Sequence, residues 1–105
     1  MKTNMTLKEL ILAVKEKKLT REQLEAYRDE LANLSALMHL ELSDIEKEEA
    51  LYRADSKETS DIATTRKWQV TKSGQRQIEL KHFIKATDKM VSSCKNRLYD
   101  QYYNN

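Results

Sequence analysis

The sequence predicts an all-α protein: a long antiparallel helical hairpin, coiled-coil-like, with a short N-terminal helix and a short connecting helix. Three observations predict it. The 105 residues contain no proline and a single glycine, Gly74, where average usage would give about five and seven. Sheet turns and loop-rich enzymes draw on both residues, so a chain nearly without them spends its backbone in helices with short connections. Apolar residues recur at threes, fours and sevens through two long segments, the period of a helix that buries one stripe. Hydrophobic content of 39% beside charged content of 34% is too polar for a thick core and too apolar for a disordered chain. The length is that of one domain, residues 1–105.

The first helix is expected over about residues 6–18. Thr6-Leu-Lys-Glu9 fits a capping box, in which hydroxyl and carboxylate satisfy early N–H groups. Leu7, Leu10, Ile11 and Val14 mark one face, and Lys15, Lys17 and Lys18 suit the C-terminal end of the helix dipole. So short a helix is marginal alone and must dock. Thr20-Arg-Glu-Gln23 is a second capping box and starts a helix over about residues 20–55, roughly 50 Å long. Its stripe is Leu24, Tyr27, Leu31, Leu34, Met38, Ile45 and Tyr52, broadened by Leu37, Leu40, Leu42 and Leu51.

Ser56-Lys-Glu-Thr-Ser-Asp61 is rich in turn and capping residues and marks a break. A short helix with Trp68 follows over about residues 61–70. Thr71-Lys-Ser-Gly74 is the next irregularity, and the last helix is expected over about residues 74–102. Its seam, Leu80, Ile84, Thr87, Val91, Cys94 and Leu98, alternates by fours and threes, flanked by Phe83 and Met90. The tail from Tyr99 to Asn105 is expected to fray. The packing core or dimer core is thus Leu24, Tyr27, Leu31, Leu34, Met38, Ile45, Leu80, Ile84, Val91 and Leu98. Two such narrow seams bury too little to hold a polar hairpin alone. Either the first helix packs as a third member or two chains associate as a homodimer.

Net charge is +2 but unevenly spread: +3 over residues 1–20, −6 over residues 21–56 and +5 over residues 57–105. The acidic middle and the basic C-terminal half can neutralise each other across a hairpin. The same split can offer a basic face to nucleic acid. Lys81, Lys85 and Lys89 form one helical stripe, with Arg76, Lys95 and Arg97 nearby and Lys72, Lys67 and Arg66 upstream. Trp68, an aromatic residue in a short polar helix, is of a type enriched at binding hot spots. Arg66, Lys67, Trp68, Lys72, Arg76, Lys81, Lys85 and Lys89 are therefore the candidate contacts for a partner protein or nucleic acid.

The residues supply little chemistry beyond binding. Glu79-Leu-Lys-His82 has the Glu-x-x-His spacing of di-iron bundles, but those sites need two such pairs and further glutamates, and the seam places this pair outward. His39 reads as a helix-edge residue. Cys94, the one cysteine, lies in the seam and reads as a buried structural thiol, so no internal disulfide is expected. Asp44, Glu46, Glu48 and Glu49 form an acidic cluster that reads as a solvated face. One glycine cannot build a phosphate-cradling loop. The expectation is no catalytic residue, no metal and no cofactor. The longest early apolar run, Leu10 to Val14, is too short for a signal or a membrane span, so the expected location is the cytoplasm, without membrane contact.

Trp68-Gln-Val-Thr71-Lys-Ser-Gly74-Gln, then Ile78-Glu-Leu-Lys81, Ile84-Lys-Ala and Lys95-Asn-Arg97-Leu98, resemble a pattern in small coiled-coil proteins of bacteriophages. The resemblance covers roughly the C-terminal half. This chain departs from it with Lys72 where those proteins have proline. The resemblance implies a phage accessory protein and carries over no site residues. The expected function is a non-enzymatic protein–protein interaction module, a phage-encoded inhibitor or adaptor of a host or defence machine, for example an anti-CRISPR-like protein, in the host cytoplasm. A second reading is a nucleic-acid-binding accessory of phage recombination or replication. A third is an assembly or scaffolding component.

Overall fold

The structure, a computed structural model, describes residues 6–16 and 18–103, without the side chains of Glu16 and Tyr103. The expectations for Lys17, for Asn104 and Asn105 and for the Tyr103 ring lie outside the described residues. Four helices follow in order: α1 (Leu7–Glu16), α2 (Arg21–Ala54), α3 (Asp61–Gln69) and α4 (Lys72–Tyr103). The chain is an all-α helical hairpin in which α2 and α4 pack against each other. It divides into two compact units, Met1–Leu37 with Lys85–Asn105, and Met38–Ile84.

In the first unit α1 supplies the third helix. Leu10 and Val14 from α1, Leu19 from the connection, Leu24 and Leu31 from α2 and Cys94 from α4 form one buried cluster. Leu7, Tyr27, Leu34, Met90, Val91 and Leu98 pack around it, partly buried. The sequence left open whether a third helix or a second chain covers this stripe; here α1 covers it. Polar groups hold the same elements. The Ser35 hydroxyl donates to Asp88 at 2.7 Å, the Arg97 guanidinium donates to the Val14 carbonyl, and Gln101 donates to the Leu19 carbonyl at 3.3 Å. The last two bond carbonyls in or beyond the final turn of α1, where intrahelical partners run out.

Helix starts follow the capping residues. The Thr6 hydroxyl accepts from the Glu9 N–H at 3.2 Å. The Thr20 hydroxyl accepts from the Gln23 N–H at 3.2 Å, and the Gln23 side chain accepts from the Thr20 N–H at 3.0 Å, a complete capping box. Because that box restarts the helix at Arg21, Lys18 lies in the connection rather than in α1. Over the described residues α4 continues to Tyr103, and the Arg21 guanidinium lies 5.2 Å from the Tyr102 ring centroid, a cation–π distance.

The second unit joins the C-terminal part of α2 to α3 and the start of α4. Ser60 N-caps α3, its hydroxyl accepting from the Ala63 N–H at 3.2 Å. Trp68, Leu80 and Ile84 are its buried apolar residues, with Thr64 and Gln77 buried beside them; Met38 and Ile45 are half-buried. The expected broad stripe on α2 is narrower than its leucines suggested. Leu37, Leu40 and Leu51 are 62%, 65% and 70% exposed. They lie on the side of α2 away from its seam, where a 3.6-residue period carries any residue out of phase.

Candidate functional site

The break between α3 and α4 is a tight joint built by three residues. Thr71 N-caps α4: its hydroxyl accepts from the Gly74 N–H at 2.9 Å and donates to the Trp68 carbonyl at 2.6 Å. The Thr71 N–H reaches the same carbonyl at 3.0 Å. Gly74 therefore sits inside the first turn of α4, and the helix begins at Lys72 rather than at residue 74. Glycine serves here through its missing side chain, not through backbone freedom. A Cβ at Gly74 would stand 1.9 Å from the Trp68 oxygen and 2.8 Å from its carbon.

Trp68 corrects an expectation. It was a candidate partner contact, but it is only 2% exposed and so presents no surface to a partner. The reason is the joint, which turns the last turn of α3 toward α2 and α4. The Tyr52 and Trp68 rings stand 5.4 Å apart and tilted by 56°, a favourable aromatic geometry. The Trp68 Nε1–H donates to the Gln77 side-chain oxygen at 2.7 Å. Gln77 donates onward to Glu49 at 2.8 Å, and Glu49 accepts twice from Arg53, at 3.0 and 2.8 Å. Arg53 also donates to Thr65 at 3.1 Å. Gln77 escaped sequence reasoning, and Glu49, read from the sequence as part of a solvated acidic face, is instead half-buried and bonded. One signal was available: stepping back three residues from Leu80 along the seam reaches Gln77, a polar residue in a core position.

The bond from Gln77, with help from Arg53, holds the Glu49 carboxyl below its ordinary value of 4.5. A carboxylate whose folded value is depressed stabilises the fold above its unfolded value, and that contribution is lost as pH falls through the folded value. Thermal stability is therefore expected to drop as pH falls from roughly 5 to 3, and Glu49→Gln should show a shallower drop. An equal slope in the two proteins, by calorimetry, would remove Glu49 from this role.

Arg76, another candidate contact, is half-buried, and its guanidinium is engaged by Glu41 at 2.6 and 2.9 Å and also by Glu79. A forked pair of this kind is stronger than a single bond, and it holds the Glu41 carboxyl below its ordinary value. This is where the acidic middle meets the basic half. Lys67 is exposed and paired with Glu58. Arg66 and Lys72 are exposed, as is Lys81 in the second unit; Lys85 and Lys89 are exposed in the first.

What α3 shows to solvent is a mixed face. Asp61, Ile62, Thr65, Arg66 and Gln69 line a shallow hollow of about 320 Å³. Ile62 is 66% exposed, and Val70, the C-cap, 77%. Sequence reasoning selected Arg66 here and missed Ile62. Elsewhere, burial pushes the Cys94 thiol up, which disfavours the thiolate. His39, Glu79 and His82 are exposed. Among the described residues no three His, Cys, Asp or Glu side chains come together as metal ligands, and no helix is long and apolar enough to cross a membrane. Comparison with known proteins finds no match: no family model matches the chain, and neither a curated protein nor a solved structure matches it.

Proposed function

We propose that this chain is a non-enzymatic protein–protein interaction module, phage-encoded, acting in the host cytoplasm as an inhibitor or adaptor of a host or defence machine. The phage setting comes from the resemblance in the C-terminal half. The observation that carries the interaction reading is the outward face of α3, where Ile62, Val70 and Arg66 meet water on a helix anchored from behind by Trp68. Apolar side chains beside an arginine on a rigid support make a contact surface of the kind found at protein interfaces. Anchoring also lowers the ordering cost of binding.

The test is capture of partners from host lysate by the wild-type chain and by an Ile62→Ser/Val70→Ser chain. A protein retained by the first and lost at least ~10-fold by the second, with unchanged helicity, is the expected result. The nucleic-acid reading has its own support in Lys81, Lys85 and Lys89, all exposed; among the described residues Lys85 and Lys89 make no ion pair, while the Lys81 charge also acts on Glu49. Retention that falls steeply with salt and disappears when these three become glutamate would replace the protein-binding reading with that one.

A further inference from the structure

A second surface lies on α2 within the second unit, on the side away from its packing seam. Leu40, Asp44, Lys47 and Leu51 follow one another at intervals of four, three and four, the spacing of a coiled-coil seam. All four are exposed. Among the described residues the Asp44 and Lys47 side chains make no hydrogen bond or ion pair. The order of residue types has a centre. Leu40 and Leu51 lie equally far from the midpoint between Ile45 and Glu46, and so do Asp44 and Lys47.

We propose that this face docks a second copy of the chain, antiparallel about a two-fold axis at that midpoint. The axis sets Leu40 against Leu51 of the second copy, and Asp44 against Lys47 of the second copy. Each contact then occurs twice, as two-fold symmetry requires. A parallel pair would instead oppose aspartate to aspartate and lysine to lysine, which is repulsive. Ser43 and Ala50, exposed on one flank, are small enough to let the helices approach. On the other flank stand Glu41, already compensated by Arg76, and the exposed Glu48, one acidic charge per copy that weakens the pair. This surface goes beyond the α3 face and does not depend on it. One helix face buries less than a standard interface of about 1,600 Å², so the dimer is weak and depends on concentration.

The test is molar mass by sedimentation equilibrium across micromolar to millimolar concentration, with far-UV circular dichroism to confirm that each variant stays helical. The wild-type chain should rise from 12.4 kDa toward twice that mass. Asp44→Lys alone and Lys47→Asp alone should each dimerise at least ~10-fold more weakly, because each opposes like charges across the axis. Mixing the two variants should restore a 1:1 dimer, and the Asp44→Lys/Lys47→Asp chain should dimerise like the wild type. A wild-type chain monomeric throughout, or a dimer indifferent to the reversals, overturns the proposal. Either outcome leaves partner capture through α3 to its own test.

Discussion

Gly74→Ala is expected to destabilise the protein by at least about 2 kcal/mol, the upper part of the range for forcing atoms into a packed site. Two effects oppose each other. Alanine is the better helix former and would gain up to about 1 kcal/mol in a solvated helix. The new Cβ would also stand 1.9 Å from the Trp68 carbonyl oxygen and 3.0 Å from the Gln69 Cα. These are backbone atoms with no rotamer to relax into, so α3 must move from α4. Moving it breaks the Thr71 bonds to Trp68 and disturbs the ring contact with Tyr52. Sterics therefore win. Urea denaturation followed by Trp68 fluorescence measures the outcome, and an alanine variant as stable as the parent would mean that α3 and α4 do not approach this closely.

Trp68→Ala is the second large effect, about 3–5 kcal/mol for removing a buried aromatic ring. The loss has two parts that Trp68→Phe separates. Phenylalanine keeps most of the apolar volume against Tyr52 but has no N–H for Gln77. The Gln77 oxygen, buried with its side chain otherwise committed to Glu49, is left without its donor, at an expected penalty of about 1–3 kcal/mol. Adding Gln77→Leu to Trp68→Phe removes the orphaned oxygen but also the donor to Glu49, so it should recover only part of that loss. Chemical denaturation of the parent, Trp68→Phe, Gln77→Leu and the double variant closes a double-mutant cycle. Strict additivity would show that the Trp68–Gln77 bond contributes nothing to stability.

The helical architecture was legible because it rests on local causes. Thr6, Thr20 and Ser60 bond the N–H groups that their positions in the sequence imply, and the a/d spacing of Leu80, Ile84, Thr87 and Cys94 marks the buried face of α4. The role of Gly74 was not legible. Seen alone, a glycine beside Thr-Lys-Ser suggests a break; only the neighbouring helix shows that it fills a place where no side chain fits. Trp68 misled for the same reason. An aromatic residue in a polar helix reads as a surface contact until the turn behind it is known.

The sequence by itself determined the class, the two long seams and where α1, α2 and α3 begin, because capping and helical periodicity act within a few residues of chain. Tertiary structure alone decided which leucines are core and which meet water. Leu31 and Leu51 are both leucines on α2, yet one is fully buried and the other 70% exposed. It also decided that α1, rather than a second copy, covers the first unit, and that Arg76 is spent on Glu41. Burial and ion pairing depend on what stands several ångströms away across another helix, and that distance is written in the packing, not in the local sequence.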